Sequence, residues 1–315
     1  MRLLSKHTME CPIKFAYLIV GFLKHLTRIF HYYILRYMKT TYRMSIPYTT
    51  LNNGVEMPLL GLGVYAPKQN DEVQSAIECA LEVGCRLIDT AAAYGNEREV
   101  ADAIRSSGIP RSDIFITTKV WNEDQGYNRT LRAFNRSLDR LGIDVVDLYL
   151  IHWPVKEHRH ETWRALEKIY SEGRARAIGV SNHYPNHIDE LLTQAHITPA
   201  INQMEFSPYC YLPEVIDYCR QKTIQPEGYA PLVRGQKADD PKLVTLAEKY
   251  GKSTYQLLIR WSLQHGVVTI PKSVKRERIQ ENFNVLDFAI SDEDMALMDT
   301  FYDNTRIADD PRDML

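Results

Sequence analysis

The chain has 315 residues, 44% hydrophobic and 25% charged, with a formal net charge of −2. Those proportions describe an ordinary globular protein, and the length accommodates one α/β barrel of about 250 residues with an addition. The charge is uneven: residues 1–43 hold eight Lys/Arg against Glu10 alone, while the remainder holds 30 Lys/Arg against 39 Asp/Glu. An acidic body excludes nucleic acid as a partner, because that binding depends on neutralising phosphates with cations.

Residues 1–43 stand apart from the pattern that follows and read as a basic, aromatic extension, with Met44 as the expected start of the fold over 44–315. Their apolar run, Phe15 to Leu23, is too short to span a bilayer. The composition would suit contact with a membrane surface, but an extension outside the fold is the preferred reading. Next, Asn52-Asn53-Gly54 predicts a hairpin turn between Tyr48–Leu51 and Val55–Met57. From Pro58 onward, eight apolar runs recur at intervals of roughly 25–40 residues. They are Leu59-Leu60, Leu87-Ile88, Ile114–Ile116, Val145–Ile151, Ala177–Val180, Ala200–Gln203, Ile224–Ala230 and Val267–Ile270. Helical periodicity fills the gaps, as in Val73, Ile77, Ala80 and Leu81, or Leu131, Phe134, Leu138 and Leu141. Asn70, Asp240 and Ser253 read as N-caps, and Gly84, Gly108, Gly142, Gly173 and Gly266 as helix ends.

Eight strand–helix units predict a parallel sheet closed into a (β/α)8 TIM barrel, with the early hairpin capping its bottom. Chemistry in such a barrel sits at the C-terminal strand ends. The runs end in Asp89, Lys119, His152, Ser181-Asn182, Gln203, Tyr229 and Lys272. Tyr94 lies just beyond Asp89 and is the expected proton donor. Its free phenol, with a pKa of about 10, would be lowered by the Lys119 ammonium, itself held by Asp89. His152 would orient a carbonyl oxygen. Together these residues point to carbonyl reduction. Lys272, Ser273 and Arg278 are spaced to clamp a dianionic group such as the 2′-phosphate of NADPH. Ser181, Asn182, Gln203 and Tyr229 would hold and stack a nicotinamide.

Gly61-Leu-Gly63-Val-Tyr-Ala66 resembles a dinucleotide fingerprint, but Pro67 follows and the helix starts only near Asn70. The glycines therefore read as a tight strand exit. His158-Arg-His160 reads as a solvated loop, and no metal is expected. Five cysteines, an odd number without Cys-x-x-Cys spacing, imply reduced thiols and a cytoplasmic setting.

In order and separation, Gly61-Leu-Gly63, Ile88-Asp-Thr-Ala-Ala-Ala-Tyr-Gly-Asn-Glu97, Thr118-Lys-Val-Trp-Asn122, Leu148-Tyr-Leu-Ile-His-Trp-Pro154, Ile178-Gly-Val-Ser-Asn182, Asn202-Gln203, Tyr229-Ala-Pro-Leu232 and the Ile270–Asn282 stretch resemble the aldo-keto reductases, particularly their microbial small-carbonyl members. The resemblance runs from about Ser45 to Met314. It implies NADPH-dependent reduction of small aldehydes, ketones or dicarbonyls by a monomer, with Asp89, Tyr94, Lys119 and His152 as the catalytic tetrad. It implies cofactor contacts from Ser181, Asn182, Gln203, Tyr229, Leu232, Lys272, Ser273, Val274, Arg278, Glu281 and Asn282. It also implies a substrate mouth lined by Tyr65, Trp121, His152 and Trp153. The tail after Tyr302 is short, so a long C-terminal specificity loop is not expected.

Overall fold

The computed structural model describes residues 46–65 and 70–314; the expected extension over 1–43 lies outside them. The chain enters through a hairpin of β1 (Tyr48–Thr50) and β2 (Glu56–Pro58), paired antiparallel. Eight strands then form one parallel sheet in chain order: β3 (Leu62–Gly63), β4 (Leu87–Asp89), β5 (Phe115–Val120), β6 (Val146–Ile151), β7 (Ala175–Ser181), β8 (Ile201–Glu205), β9 (Gln225–Tyr229) and β10 (Val268–Thr269). The two ends of this order meet. Leu60 bridges Thr269 in parallel, with Thr269 N–H donating to Leu59 O at 2.8 Å and Gly61 N–H to Thr269 O at 2.9 Å. The sheet is thus the expected (β/α)8 barrel.

Side-chain alternation along each strand explains why the runs are continuously apolar. Leu87, Phe115, Leu148, Leu150, Ala177, Ile201, Val268 and Ile270 fill the barrel interior. Their neighbours Ile88, Ile116, Tyr149, Ile151, Ile178 and Val180 pack outward against the helices. Leu51 and Met57 from the hairpin join the interior cluster and plug its lower end. Asn52 Nδ2 donates to Pro199 O at 3.0 Å and Asn53 Nδ2 to Arg176 O at 2.9 Å, which fastens the turn to the N-terminal ends of β7 and β8. The hairpin therefore caps the bottom, as its position in the sequence implied.

Three expectations change in detail. Gly63 ends the first barrel strand, but Gly61 lies before that exit, along a strand that pairs with β10 through residues 59–61 and with β4 through 62–63. A Cβ on Gly61 would sit 2.5 Å from Leu87 Cγ, and one on Gly63 would sit 2.9 Å from the Ile270 carbonyl oxygen. Close approach at the barrel seam, not a turn, requires glycine here. His158-Arg-His160 is not an open loop: a 3-10 turn over Lys156–His158 leads into the helix Arg159–Ser171, and Arg159 is buried with an ion pair to Glu190. The alternation is also not one helix per strand. Pro241–Tyr250 and Thr254–Gln264 both precede β10, and Arg276–Phe283 and Asp292–Asp299 both follow it. Ser253 caps the second of these through a reciprocal pair with Gln256, at 3.2 and 3.1 Å.

Among the described residues, no helix is long and apolar enough to cross a membrane, and Cys79, Cys85, Cys210 and Cys219 are free and buried. The seam yields a prediction. Gly63→Ala should cost about 1–3 kcal/mol through overpacking against backbone that has no room to retreat, measured as a fall of a few degrees in melting temperature.

Candidate active site

The polar groups named above gather at the C-terminal ends of the strands. Asp89 ends β4, Lys119 lies one residue from the end of β5, and His152 follows β6. Ser181 ends β7, Gln203 is central in β8 and Tyr229 ends β9. Alternation turns these positions inward, above the aliphatic interior.

Lys119 is fully buried. Its Nζ donates to Asp89 Oδ1 at 2.6 Å, to Asp89 Oδ2 at 2.8 Å and to Thr90 O at 3.0 Å. These three bonds use every donor an ammonium has. Tyr94 sits on a 3-10 turn over Ala92–Tyr94, and its ring centroid is 5.3 Å from Nζ. The turn is fixed from beneath: Thr90 Oγ1 donates to Asn96 Oδ1 at 2.6 Å, and Asn96 Nδ2 to Val64 O at 2.8 Å. Glu97 is buried, accepts from Thr118 Oγ1 at 2.6 Å and pairs with Arg140. Asn96 and Glu97 thus place Tyr94, a role the sequence motif contained without declaring.

The electrostatics reverse one expectation. The Tyr94 phenol is not lowered toward neutrality but held well above its ordinary value, by burial first and then by Asp89, Tyr65 and Glu227. The Lys119 charge is directed at Asp89, so the resting phenol keeps its proton at neutral pH. His152 is pushed well below the usual imidazole value, by burial and then by Lys119, so it is neutral. Its Nδ1 is buried without a partner. Its ring meets Tyr94 edge-on at 5.7 Å and Trp121 at 5.1 Å. A neutral imidazole beside a protonated phenol offers two hydrogen-bond donors to one incoming oxygen.

Asn182 adopts a left-handed backbone, φ 64°, which asparagine tolerates better than most residues. Its Nδ2 donates to His152 O at 3.0 Å and its Oδ1 accepts from Tyr229 OH at 2.9 Å. Gln203 Nε2 donates to Asp89 Oδ2 at 2.8 Å and to Glu227 Oε2 at 3.0 Å. Glu227, fully buried in β9, escaped the sequence reading because it lies inside an apolar run rather than at its end. Burial and then Asp89 push its carboxyl up to about 8, against the Gln203 hydrogen bond and Lys119.

One continuous cavity of about 1270 Å³ opens over these groups. Tyr65, Asp89, Tyr94, Trp121, His152 and Trp153 line one part; Lys119 stays behind Asp89. Ser181, Asn182, Gln203, Tyr229 and Leu232 line it as well, and so do Lys272, Ser273, Val274, Arg278 and Asn282. Glu281 is the one expected cofactor residue not on the wall. The cavity also takes residues the sequence reading missed. Arg234 follows β9 on a loop where Val233 and Arg234 both have positive φ, 48° and 49°. Ile307, Ala308, Asp309 and Met314 come from the C-terminal tail. Short as it is, that tail reaches the mouth because Glu205 accepts from the backbone N–H groups of Ile307 at 2.6 Å and Ala308 at 3.1 Å.

The cavity suits a dinucleotide: its wall carries the cations Arg234, Lys272, Lys275 and Arg278, the imidazole of His152, the amides of Asn182 and Gln203 and the aromatic ring of Tyr229. Among the described residues, no group of three or more His, Cys, Asp or Glu is placed to hold a metal ion.

Known proteins resemble this chain over most of its length. A glyoxal reductase of Bacillus subtilis (strain 168) is 50% identical over 265 residues, covering 84% of this chain and 96% of that protein. The crystal structure of an aldo/keto reductase from Brucella melitensis superposes with a TM-score of 0.79 at 44% identity, covering 82% of this chain and all of that one. A Bombyx mori aldo-keto reductase in complex with NADP superposes with a TM-score of 0.80 at 35% identity, covering 84% and 96%. The sequence profile of the Aldo/keto reductase family matches residues 59–303, and the chain belongs to that family.

Proposed function

We propose that this oxidoreductase binds NADPH with a small aldehyde, ketone or dicarbonyl and forms the alcohol, Tyr94 donating the proton. The observation that carries the reading is the Tyr94 phenol and His152 imidazole facing one cavity, with the Lys119–Asp89 pair buried behind them. The dinucleotide would supply the hydride; the chain supplies placement and electrostatics. Lys272 and Arg278 would hold the 2′-phosphate, with Ser273, Val274 and Asn282 around the adenosine. Ser181, Asn182, Gln203, Tyr229 and Leu232 would hold the nicotinamide half.

The substrate carbonyl would lie between Tyr94 and His152, with Tyr65, Trp121 and Trp153 as apolar walls. A phenol that keeps its proton at rest is charged for donation, and the neutral imidazole directs the oxygen without competing for the proton. As negative charge develops on that oxygen, both donors act on it. The glyoxal reductase relative supports small dicarbonyls as the substrate class, and the solved NADP complex supports the phosphorylated dinucleotide. Four buried, free cysteines suit a reducing, cytoplasmic setting.

Three outcomes test this reading. Tyr94→Phe should lower kcat for carbonyl reduction by about 10²- to 10⁴-fold while NADPH binding, followed by fluorescence, stays close to wild type; unchanged turnover would refute the donor. Lys272→Ala should raise the Kd for NADPH by about tenfold or more and leave that for NADH nearly unaltered; equal losses would remove the phosphate assignment. Because His152 is neutral, kcat should show no acid limb with a midpoint near the ordinary imidazole value of about 6.5. A limb there that disappears in His152→Gln would mean that the imidazole ionises during turnover.

A further inference from the structure

Gln203 and Glu227 are direct partners across the parallel pair β8–β9. Both side chains are buried. Asp89, the other group bonded to Gln203, stands on β4, four places from β8 in a closed ring of eight strands and therefore on the opposite wall. The Gln203 amide thus spans the barrel. An amide has two N–H donors and one carbonyl oxygen. Here both donors end on carboxylate oxygens, at 2.8 Å to Asp89 and 3.0 Å to Glu227. Turning the amide over would set its oxygen against the Asp89 carboxylate, so only its carbonyl remains for the cavity that Gln203 lines.

We propose that Glu227 is a positioning residue for the hydride step: with Asp89 it takes both N–H groups of Gln203, so that the amide presents its oxygen alone to the nicotinamide carboxamide and fixes which face of the ring meets the substrate. The inference rests on the reading of the cavity given above. Asp89 by itself leaves one N–H of Gln203 without an acceptor and the amide free to pivot about its remaining bond. Glu227 supplies the second point of attachment, and with the side-chain stem as a third the amide plane is fixed. The role needs an acceptor, not a charge. Burial and then Asp89 raise the Glu227 carboxyl above the ordinary carboxylate range, and a carboxyl accepts through an oxygen whether or not it carries a proton. Its Oε1 has no partner among protein atoms, so Glu227 grips Gln203 through Oε2 and ties no other part of the barrel.

The test uses the full-length protein with NADPH stereospecifically deuterated at C4 and a small dicarbonyl. Glu227→Leu should lower kcat by about tenfold, the worth of one well-placed hydrogen bond, and should transfer label from both faces of the ring, while the Kd for NADPH stays within about threefold. Glu227→Gln keeps an acceptor oxygen and should recover most of the rate and the single-face transfer. Gln203→Leu should reproduce the Glu227→Leu defects, and combining the two should cost nothing more. Wild-type face selectivity and rate in Glu227→Leu would overturn the proposal. So would a Glu227→Leu loss that persists undiminished in the Gln203→Leu background, or a Glu227→Gln protein as impaired as Glu227→Leu. Failure of Glu227→Leu and Glu227→Met alike to fold would show a structural anchor and also overturn it. A wild-type protein that oxidises NADPH with no carbonyl compound would instead refute the proposed reaction and leave the Gln203 geometry as it stands.

Discussion

An ammonium buried in the middle of a barrel is the constraint around which this structure is organised. Moving a lysine out of water is costly unless its charge is matched and its donors are all used. Lys119 meets both conditions only because β4 and β5 are adjacent, bringing the Asp89 carboxylate and the Thr90 carbonyl to it together. Asp89 is then committed on several sides at once, to Lys119 and to Gln203 from the far wall. Removing either charge would strand the other without solvent, a loss of about 3–5 kcal/mol in comparable buried pairs. The lower half of the barrel, packed with leucine, isoleucine and valine, is the rigid base that lets the upper half be polar.

From that pair the rest of the site takes its electrostatic character. Because Lys119 spends its charge on Asp89, it does not draw Tyr94 down. Burial, and after it the nearness of Asp89, Tyr65 and Glu227, drives Tyr94 up. Burial, and after it the same ammonium, keeps His152 uncharged. The cavity wall at this end therefore sets the neutral donors Tyr94 and His152 beside the Asp89 carboxylate, whose charge is matched by Lys119 behind it.

Much of this was legible in the sequence because barrels align chemistry with position. An apolar run ending in Asp89, Lys119, His152, Gln203 or Tyr229 reports both the strand and its functional end. The hairpin was legible from Asn52-Asn53-Gly54. What the sequence concealed has physical reasons. Glu227 faces inward halfway along a strand, so no strand-end rule finds it; only the cross-strand register with Gln203 gives it meaning. Gly61 and Gly63 look like a turn because glycine marks turns, whereas here they admit Leu87 and the Ile270 carbonyl. The direction of the Tyr94 shift depends first on how deeply the fold buries the phenol, which composition does not record. The tail over the cavity depends on Glu205, about a hundred positions away.

That last contact has a consequence for how such an enzyme changes what it accepts. Glu205, its carboxyl raised by burial and countered by the two amide bonds it receives, grips Ile307 and Ala308 by their main-chain nitrogens. A grip on backbone is indifferent to the side chains it carries. The doorway can therefore be refurnished one residue at a time, with bulk or charge exchanged at 307–309, while its hinge pin stays in place. Selectivity for new compounds can drift at the rim without disturbing the machinery at the floor.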